Sequence, residues 1–168
     1  TIKLKQTIKE NNLPGLSAPQ IGYNKRVFCI NFKGDVRTFI NPVITEIKGL
    51  EMSKEECPSL PGRLFIRPRH NKVSAIYQTP LGKTESRTFI GLAARLFQHE
   101  IDHLDGLLLS DIGLEIDDAF ENATDDERAE VIKMYLESLD IKQKGLEKDI
   151  EETPELKQVS DAIKFMEG

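Results

Sequence analysis

The chain of 168 residues is 39% hydrophobic and 30% charged, with a formal net charge of −5, the profile of a soluble globular protein long enough for one domain with a sizeable core. No apolar run approaches the about 20 residues that cross a bilayer, and the start, Thr1-Ile2-Lys3-Leu4-Lys5, lacks the apolar stretch of a signal peptide. No membrane partner is expected, the default location is the cytoplasm or an organellar matrix, and Thr1 in place of Met suggests a processed start.

In chain order, Ile2 to Asn11 reads as a short amphipathic helix with Ile2, Leu4 and Ile8 as its apolar positions, ended by Leu13-Pro14-Gly15. Strand-like runs follow at residues 26–31, 38–40, 43–48, 64–67, 72–78 and 85–90, punctuated by Pro42, Pro61-Gly62, Pro68 and Pro80-Leu81-Gly82. Pro80-Leu81-Gly82-Lys83 has the composition of a hairpin turn. Gly91 opens a helix to about Leu104, with Leu92, Leu96, His99 and His103 on one face, and Gly106 suits a left-handed C-terminal cap. Beyond Asp111 the pattern is helical and charged. Thr124-Asp125-Asp126-Glu127 is a capping box ahead of an apolar stripe, Ile132, Tyr135, Leu136 and Leu139. Thr153-Pro154 opens a second stripe, Leu156, Val159, Ile163 and Met166. Such stripes usually pack on the protein itself.

Charge divides the chain. Residues 1–114 hold 16 Lys+Arg and 11 Asp+Glu, whereas residues 115–168 hold 7 and 17. A basic region at 1–114 and an acidic helical extension at 115–168 are the expected organisation. Of the two cysteines, Cys29 lies in the apolar run Val27-Phe28-Cys29-Ile30 and reads as a core residue. Cys57, in the polar, proline-bearing Glu55-Glu56-Cys57-Pro58-Ser59, is the better ligand or nucleophile. A disulfide between them is not expected in a reducing compartment.

Chemistry concentrates in Gln98-His99-Glu100-Ile101-Asp102-His103, which contains two of the three histidines. Histidines four apart share one helix face, so both imidazoles can reach one divalent metal, with Glu100 placed as a base toward metal-bound water. A catalytic metal site usually has three protein ligands and one open position. The third could be acidic, another histidine or a thiolate. His70, just before a strand, reads as a surface residue, which leaves Cys57 as the best soft ligand. Asp102 points off the histidine face and suits a supporting role.

Three motifs in order make the chain resemble the peptide deformylase family. Leu13-Pro14-Gly15-Leu16-Ser17-Ala18-Pro19-Gln20 matches Gly-Φ-Gly-Φ-Ala-Ala-x-Gln, Glu55 to Ser59 matches Glu-Gly-Cys-Φ-Ser, and His99 to His103 matches His-Glu-Φ-Asp-His. The similarity spans roughly residues 3–111, with Phe39-Ile40-Asn41-Pro42 and Gly106 in support. It implies an α+β fold: mainly antiparallel sheet around a central helix carrying the His-Glu-x-x-His motif, with the C-terminal helical extension appended. It implies a metal-dependent hydrolase that removes the N-formyl group from the starting methionine of nascent polypeptides and releases formate. Cys57, His99 and His103 would hold the metal, Fe2+ in the cell by family precedent, though the ligand set accepts Zn2+, Ni2+ or Co2+. Glu100 and Gln20 would be catalytic, as base and oxyanion donor. Gly15 would let the substrate backbone approach, and Pro14, Leu92, Leu96 and the stem of Arg95 would line an apolar methionine pocket. Arg95 could instead meet Glu55, itself a substrate-binding candidate.

Leu13, Ser17, Glu56 and Pro58 depart from the family pattern. Proline has no N–H, so a main-chain oxyanion donor expected at Pro58 is missing, at a cost of about 3 kcal/mol. Two alternatives follow: a His-Glu-x-x-His metalloprotease with an acidic third ligand, or a catalytically weakened deformylase-like binding protein. The ribosome is a candidate partner because some relatives dock there through a C-terminal helix. An acidic tail would be repelled by RNA phosphates, leaving a basic ribosomal protein, a second copy or the basic region as its partner. Direct DNA binding is not expected. A compact member of this family fits a phage, a bacterium or an organelle.

Overall fold

The protein is described by a computed structural model over residues 1–152. The described residues form two compact units, Thr1–Gly113 and a second that begins at Leu114. The first is α+β. Helix α1 (Ile2–Asn11) precedes β1 (Gly15–Ser17), a 3-10 turn (Pro19–Ile21) and four longer strands: β2 (Val27–Phe32), β3 (Asp35–Glu56), β4 (Leu64–Gln78) and β5 (Thr84–Ile90). Helices α2 (Leu92–Leu104) and α3 (Leu109–Ile112) complete it. The five strands are antiparallel neighbours in sequence order.

The prolines do not divide the strands as their spacing suggests. β3 runs unbroken for 22 residues and β4 for 15, so two pairs of expected strands are each one strand. Pro42 falls inside a register shift between Ile40 and Val43, beside Asn41 in the left-handed region at φ 48°. A bulge leaves a residue without a ladder partner, so the missing N–H is harmless there. Pro68 stands opposite Met52 where β5 no longer runs alongside β4, since the last β4–β5 pair is Lys72 with Ile90.

α2 lies on this sheet through an aromatic cluster. The Phe97 ring packs 4.6 Å from Phe89, 5.1 Å from Phe28 and 5.4 Å from Phe39. Ile30, Val73, Ala75, Tyr77 and Ala94 fill the rest of this core. A second cluster joins α1 to β1 and β2 through Leu4, Ile8, Leu16, Ala18, Cys29 and Val36. Ile2, expected on the apolar face of α1, is 82% exposed. α1 ends on Asn12, left-handed at φ 51°, before Pro14 is reached.

In the second unit, β6 (Leu114–Ile116) and α4 (Asp118–Asn122) lead to α5 (Asp125–Glu152). The Thr124–Glu127 box forms in both directions, Glu127 N donating to Thr124 Oγ1 and Thr124 N to Glu127 Oε2. Ile132, Tyr135 and Leu139 are half-buried, while Leu136 is exposed. The Thr153-Pro154 cap and the stripe from Leu156 to Met166 lie outside the described residues. Among those residues no helix is long and apolar enough to cross a membrane.

Candidate metal centre and active site

α2 carries the densest set of buried polar side chains: Gln98, His99, Glu100 and His103 are all buried. Its ends are set by glycine. Gly91 caps the start at φ 60°, and Gly106 at φ 78° allows Gly106 N to reach His103 O and Leu107 N to reach Asp102 O at 2.9 Å. That pair of bonds satisfies the last carbonyls of the helix.

The helical spacing brings the His99 and His103 rings to 4.8 Å, nearly perpendicular, with Nε2 atoms 3.2 Å apart. The long β3 strand delivers Cys57 just past its end, placing Sγ 3.2 Å from His103 Nε2. One ligand atom from each residue lies within 4.8 Å of the others. A proton can bridge only one pair of these atoms at a time, whereas one cation would satisfy all three. Ligands 2.0–2.3 Å from a tetrahedral ion lie roughly 3.3–3.6 Å apart, close to the two separations of 3.2 Å that His103 Nε2 makes with Cys57 Sγ and His99 Nε2. The electrostatics agree. Burial pushes the Cys57 thiol up, but hydrogen bonds from His103 and His99 outweigh it and bring it down to about 5. Burial lowers His99, but the bonds to Cys57 and Glu55 outweigh it and raise the imidazole to about 9. Both shifts favour a thiolate beside an imidazolium, a pair whose imidazolium proton a metal would displace.

Glu55 supports His99 from behind. Its Oε2 lies 3.0 Å from His99 Nδ1, and both its oxygens accept from Arg69, at 2.6 and 2.7 Å. Burial raises the Glu55 carboxyl, yet the bonds from Arg69 and His99 prevail and hold it at about 2. Arg69 also donates to Asp102 Oδ2 at 2.6 Å, and Arg67 to the same oxygen at 2.9 Å. Arg69 thus ties the Cys57 strand to the histidine helix. Glu55 borders the cleft with its carboxylate engaged by Arg69 and His99, and the alternative contact with Arg95 is corrected, because Arg69 takes that place. His70 lies inside β4 rather than before a strand, and is half-buried.

Glu100 is 3% exposed, its Oε2 has no hydrogen-bond partner, and burial holds its carboxyl up at about 8 despite the neighbouring His99. Gly15 is what makes room for it. A Cβ there would collide with Glu100 Oε1 and come within 3.1 Å of Cδ, so the close approach that needs glycine is that of Glu100. Gln20 is locked by its oxygen, which accepts from Ser17 N at 2.8 Å and Ser17 Oγ at 2.9 Å. Its Nε2 is therefore directed at Cys57 Sγ, 3.6 Å away, and at Ser59 Oγ, 3.0 Å away.

A cleft of about 420 Å³ opens beside these groups. Pro14, Gly15, Glu55, Leu92, Arg95 and Leu96 line it together with His99 and Glu100. Leu92 is 64% exposed and stands at its mouth. Ser53, Lys54, Glu56, Pro58 and Leu64 also border it. Of these, Ser53, Lys54 and Leu64 were not anticipated from motifs, and neither was Arg69. A signal for Arg69 was present: it shares alternation parity with buried Phe65, Val73, Ala75 and Tyr77, an inward register at which an unpaired charge is untenable.

Residues 1–115 match the family model for polypeptide deformylase. The peptide deformylase of Dictyoglomus thermophilum is 37% identical over 110 residues, 66% of this chain and 72% of that protein. The peptide deformylase structure from Thermotoga maritima superposes with a TM-score of 0.62 at 35% identity, over 64% of this chain and 74% of that one. The Synechococcus elongatus peptide deformylase, solved in complex with actinonin, gives 0.60 at 36% identity, over 62% and 58%. Shared sequence, shared fold and a thiol converging on two helix-borne imidazoles lead to one conclusion: this chain belongs to the polypeptide deformylase family.

Proposed function

We propose that this chain hydrolyses the formamide bond at the N-terminal methionine of nascent polypeptides, releasing formate and a free amine. The observation that carries the reading is the meeting of Cys57 Sγ, His99 Nε2 and His103 Nε2 beside the buried carboxyl of Glu100 and the amide of Gln20. Cys57, His99 and His103 are assigned as metal ligands and Fe2+ as the metal in the cell, with Zn2+, Ni2+ and Co2+ as substitutes. When bound, the metal supplies Lewis acidity toward water and the formyl oxygen.

The remaining chemistry belongs to the chain. Glu100 takes the proton of the attacking water and passes it to the departing amine nitrogen as the carbon–nitrogen bond breaks. Its burial suits both steps, because a carboxyl held up near neutrality accepts and releases a proton readily. Gln20 Nε2, fixed by Ser17, donates to the oxygen that gains charge. Leu92, Leu96, Pro14 and the Arg95 stem receive the methionine side chain in the cleft. Discrimination against acetyl groups follows from a site cramped enough beside the carbonyl to admit a hydrogen but not a methyl. Residues 1–114 are assigned as the catalytic domain and 115–168 as an acidic helical extension, with the ribosome its candidate partner through a basic ribosomal protein. The substrate places the reaction in the cytoplasm or organellar matrix where formylated chains are made.

Formate release from formyl-Met-Ala-Ser by Fe2+- or Ni2+-loaded protein, with no acetate from acetyl-Met-Ala-Ser, tests the assignment; metal-loaded protein that releases no formate refutes it. Cys57→Ser should abolish stoichiometric metal binding. Full metal retention in that variant would favour a metalloprotease with an acidic third ligand.

A further inference from the structure

The β4–β5 ladder ends at Lys72 and Ile90, so the main chain of His70, two residues earlier on β4, has no β5 residue beside it. The side-chain amide of Gln98 takes that place. Its Oε1 accepts from His70 N at 3.0 Å and its Nε2 donates to His70 O at 2.8 Å. The same Nε2 donates to Ala94 O, one turn back on α2, at 3.0 Å. Only the NH2 end of an amide can serve two carbonyls, so this pattern fixes the amide's orientation and cannot be reproduced by a carboxylate. Gln98 is 8% exposed, which leaves little water to substitute for the lost bonds. One turn further along α2, Asp102 is held by Arg69, the β4 residue preceding His70. Consecutive residues of β4 therefore hold α2 at the two positions immediately before the two histidines.

We propose that Gln98 is a positioning residue of the metal centre: standing in for a strand against His70, it sets the rotation and height at which α2 presents His99 and Glu100. The aromatic packing of Phe97 is large in area but non-directional, whereas these hydrogen bonds are directional and specify one placement. The proposal rests on the metal-dependent reading above.

The test loads the full chain with Co2+ and compares wild type, Gln98→Met, Gln98→Glu and the packing control Phe97→Leu. Four readouts are taken: the visible cobalt bands, the rate of metal loss to a chelator, the split of kcat against KM, and Tm. Both Gln98 variants should lose metal about 10-fold faster or more, alter the cobalt bands, and lower kcat with KM little changed. Phe97→Leu should lower Tm while leaving the bands and the release rate of the folded protein at wild-type values. Wild-type bands and release in a folded Gln98 variant overturn the proposal, as does a Phe97→Leu variant that shifts both equally. A wild-type protein with no cobalt–thiolate band overturns the metal reading itself, and the proposal with it.

Discussion

Gly15→Ala is a single-methyl perturbation aimed at the general base. The added Cβ would overlap Glu100 Oε1 and stand 3.1 Å from Glu100 Cδ and 3.4 Å from Cys29 O. Neither the Cys29 main chain, paired to Leu16 in the β1–β2 ladder, nor α2, held at Gln98 and Asp102, can retreat easily. The carboxylate must therefore move, by something on the order of 1 Å. A displacement of that size in a catalytic group costs about 100-fold in rate, or roughly 2.7 kcal/mol of transition-state stabilisation. Overpacking adds about 1–3 kcal/mol of destabilisation, a fall in Tm of roughly 3–10 °C for a chain this long. The three atoms nearest the new Cβ belong to Glu100 and Cys29 and not to Cys57, His99 or His103, so metal content should stay stoichiometric. The assay is kcat/KM on formyl-Met-Ala-Ser with metal analysis and a thermal melt on the same sample. Adding Glu100→Asp, one methylene shorter, should recover part of the lost Tm without recovering activity. Wild-type kcat/KM in Gly15→Ala would refute the claim that this glycine exists to seat Glu100.

Glu100→Gln should retain metal and lower kcat by about 100- to 10,000-fold, measured as formate release at saturating substrate. Pro58→Leu restores a main-chain N–H at the cleft wall and should raise turnover by up to about 100-fold if the missing donor limits the rate; an unchanged or lower rate counts against that account. Acid should destabilise the metal-free protein through Glu55. Its folded value of about 2 lies below the ordinary carboxylate value of 4.5, so its contribution is fully present above about pH 5 and is lost as pH falls toward 2. The stability gap between wild type and Glu55→Gln, roughly 3 kcal/mol at neutral pH, should shrink across that window in denaturant titrations. A gap that stays constant from pH 6 to pH 2.5 would exclude the linkage.

Local periodicity and motif spacing carried much of this protein. Four-residue spacing alone puts His99 and His103 on one helix face, and the capping residues around Thr124 announce their helix without reference to anything distant. The pairing of a remote Cys57 with those histidines was reached by elimination, as the best remaining soft ligand, and became specific because three motifs occur together in order. What remained hidden was every feature that depends on which strand lies beside which. Pro42 and Pro68 read as strand ends until the register places one in a bulge and the other beyond the reach of β5. That Glu100 lies against Gly15 at the cleft, and that Arg69 arrives from the neighbouring strand to engage the Glu55 carboxylate, is visible only in the fold. The face shared by His99 and His103 and the cap at Thr124 are set by residues within about one turn of each other, so the sequence by itself determines them. Ion pairs across strands, glycine clearances and the amide that stands in for a strand join residues far apart in the chain, and only the tertiary register brings them within bonding distance.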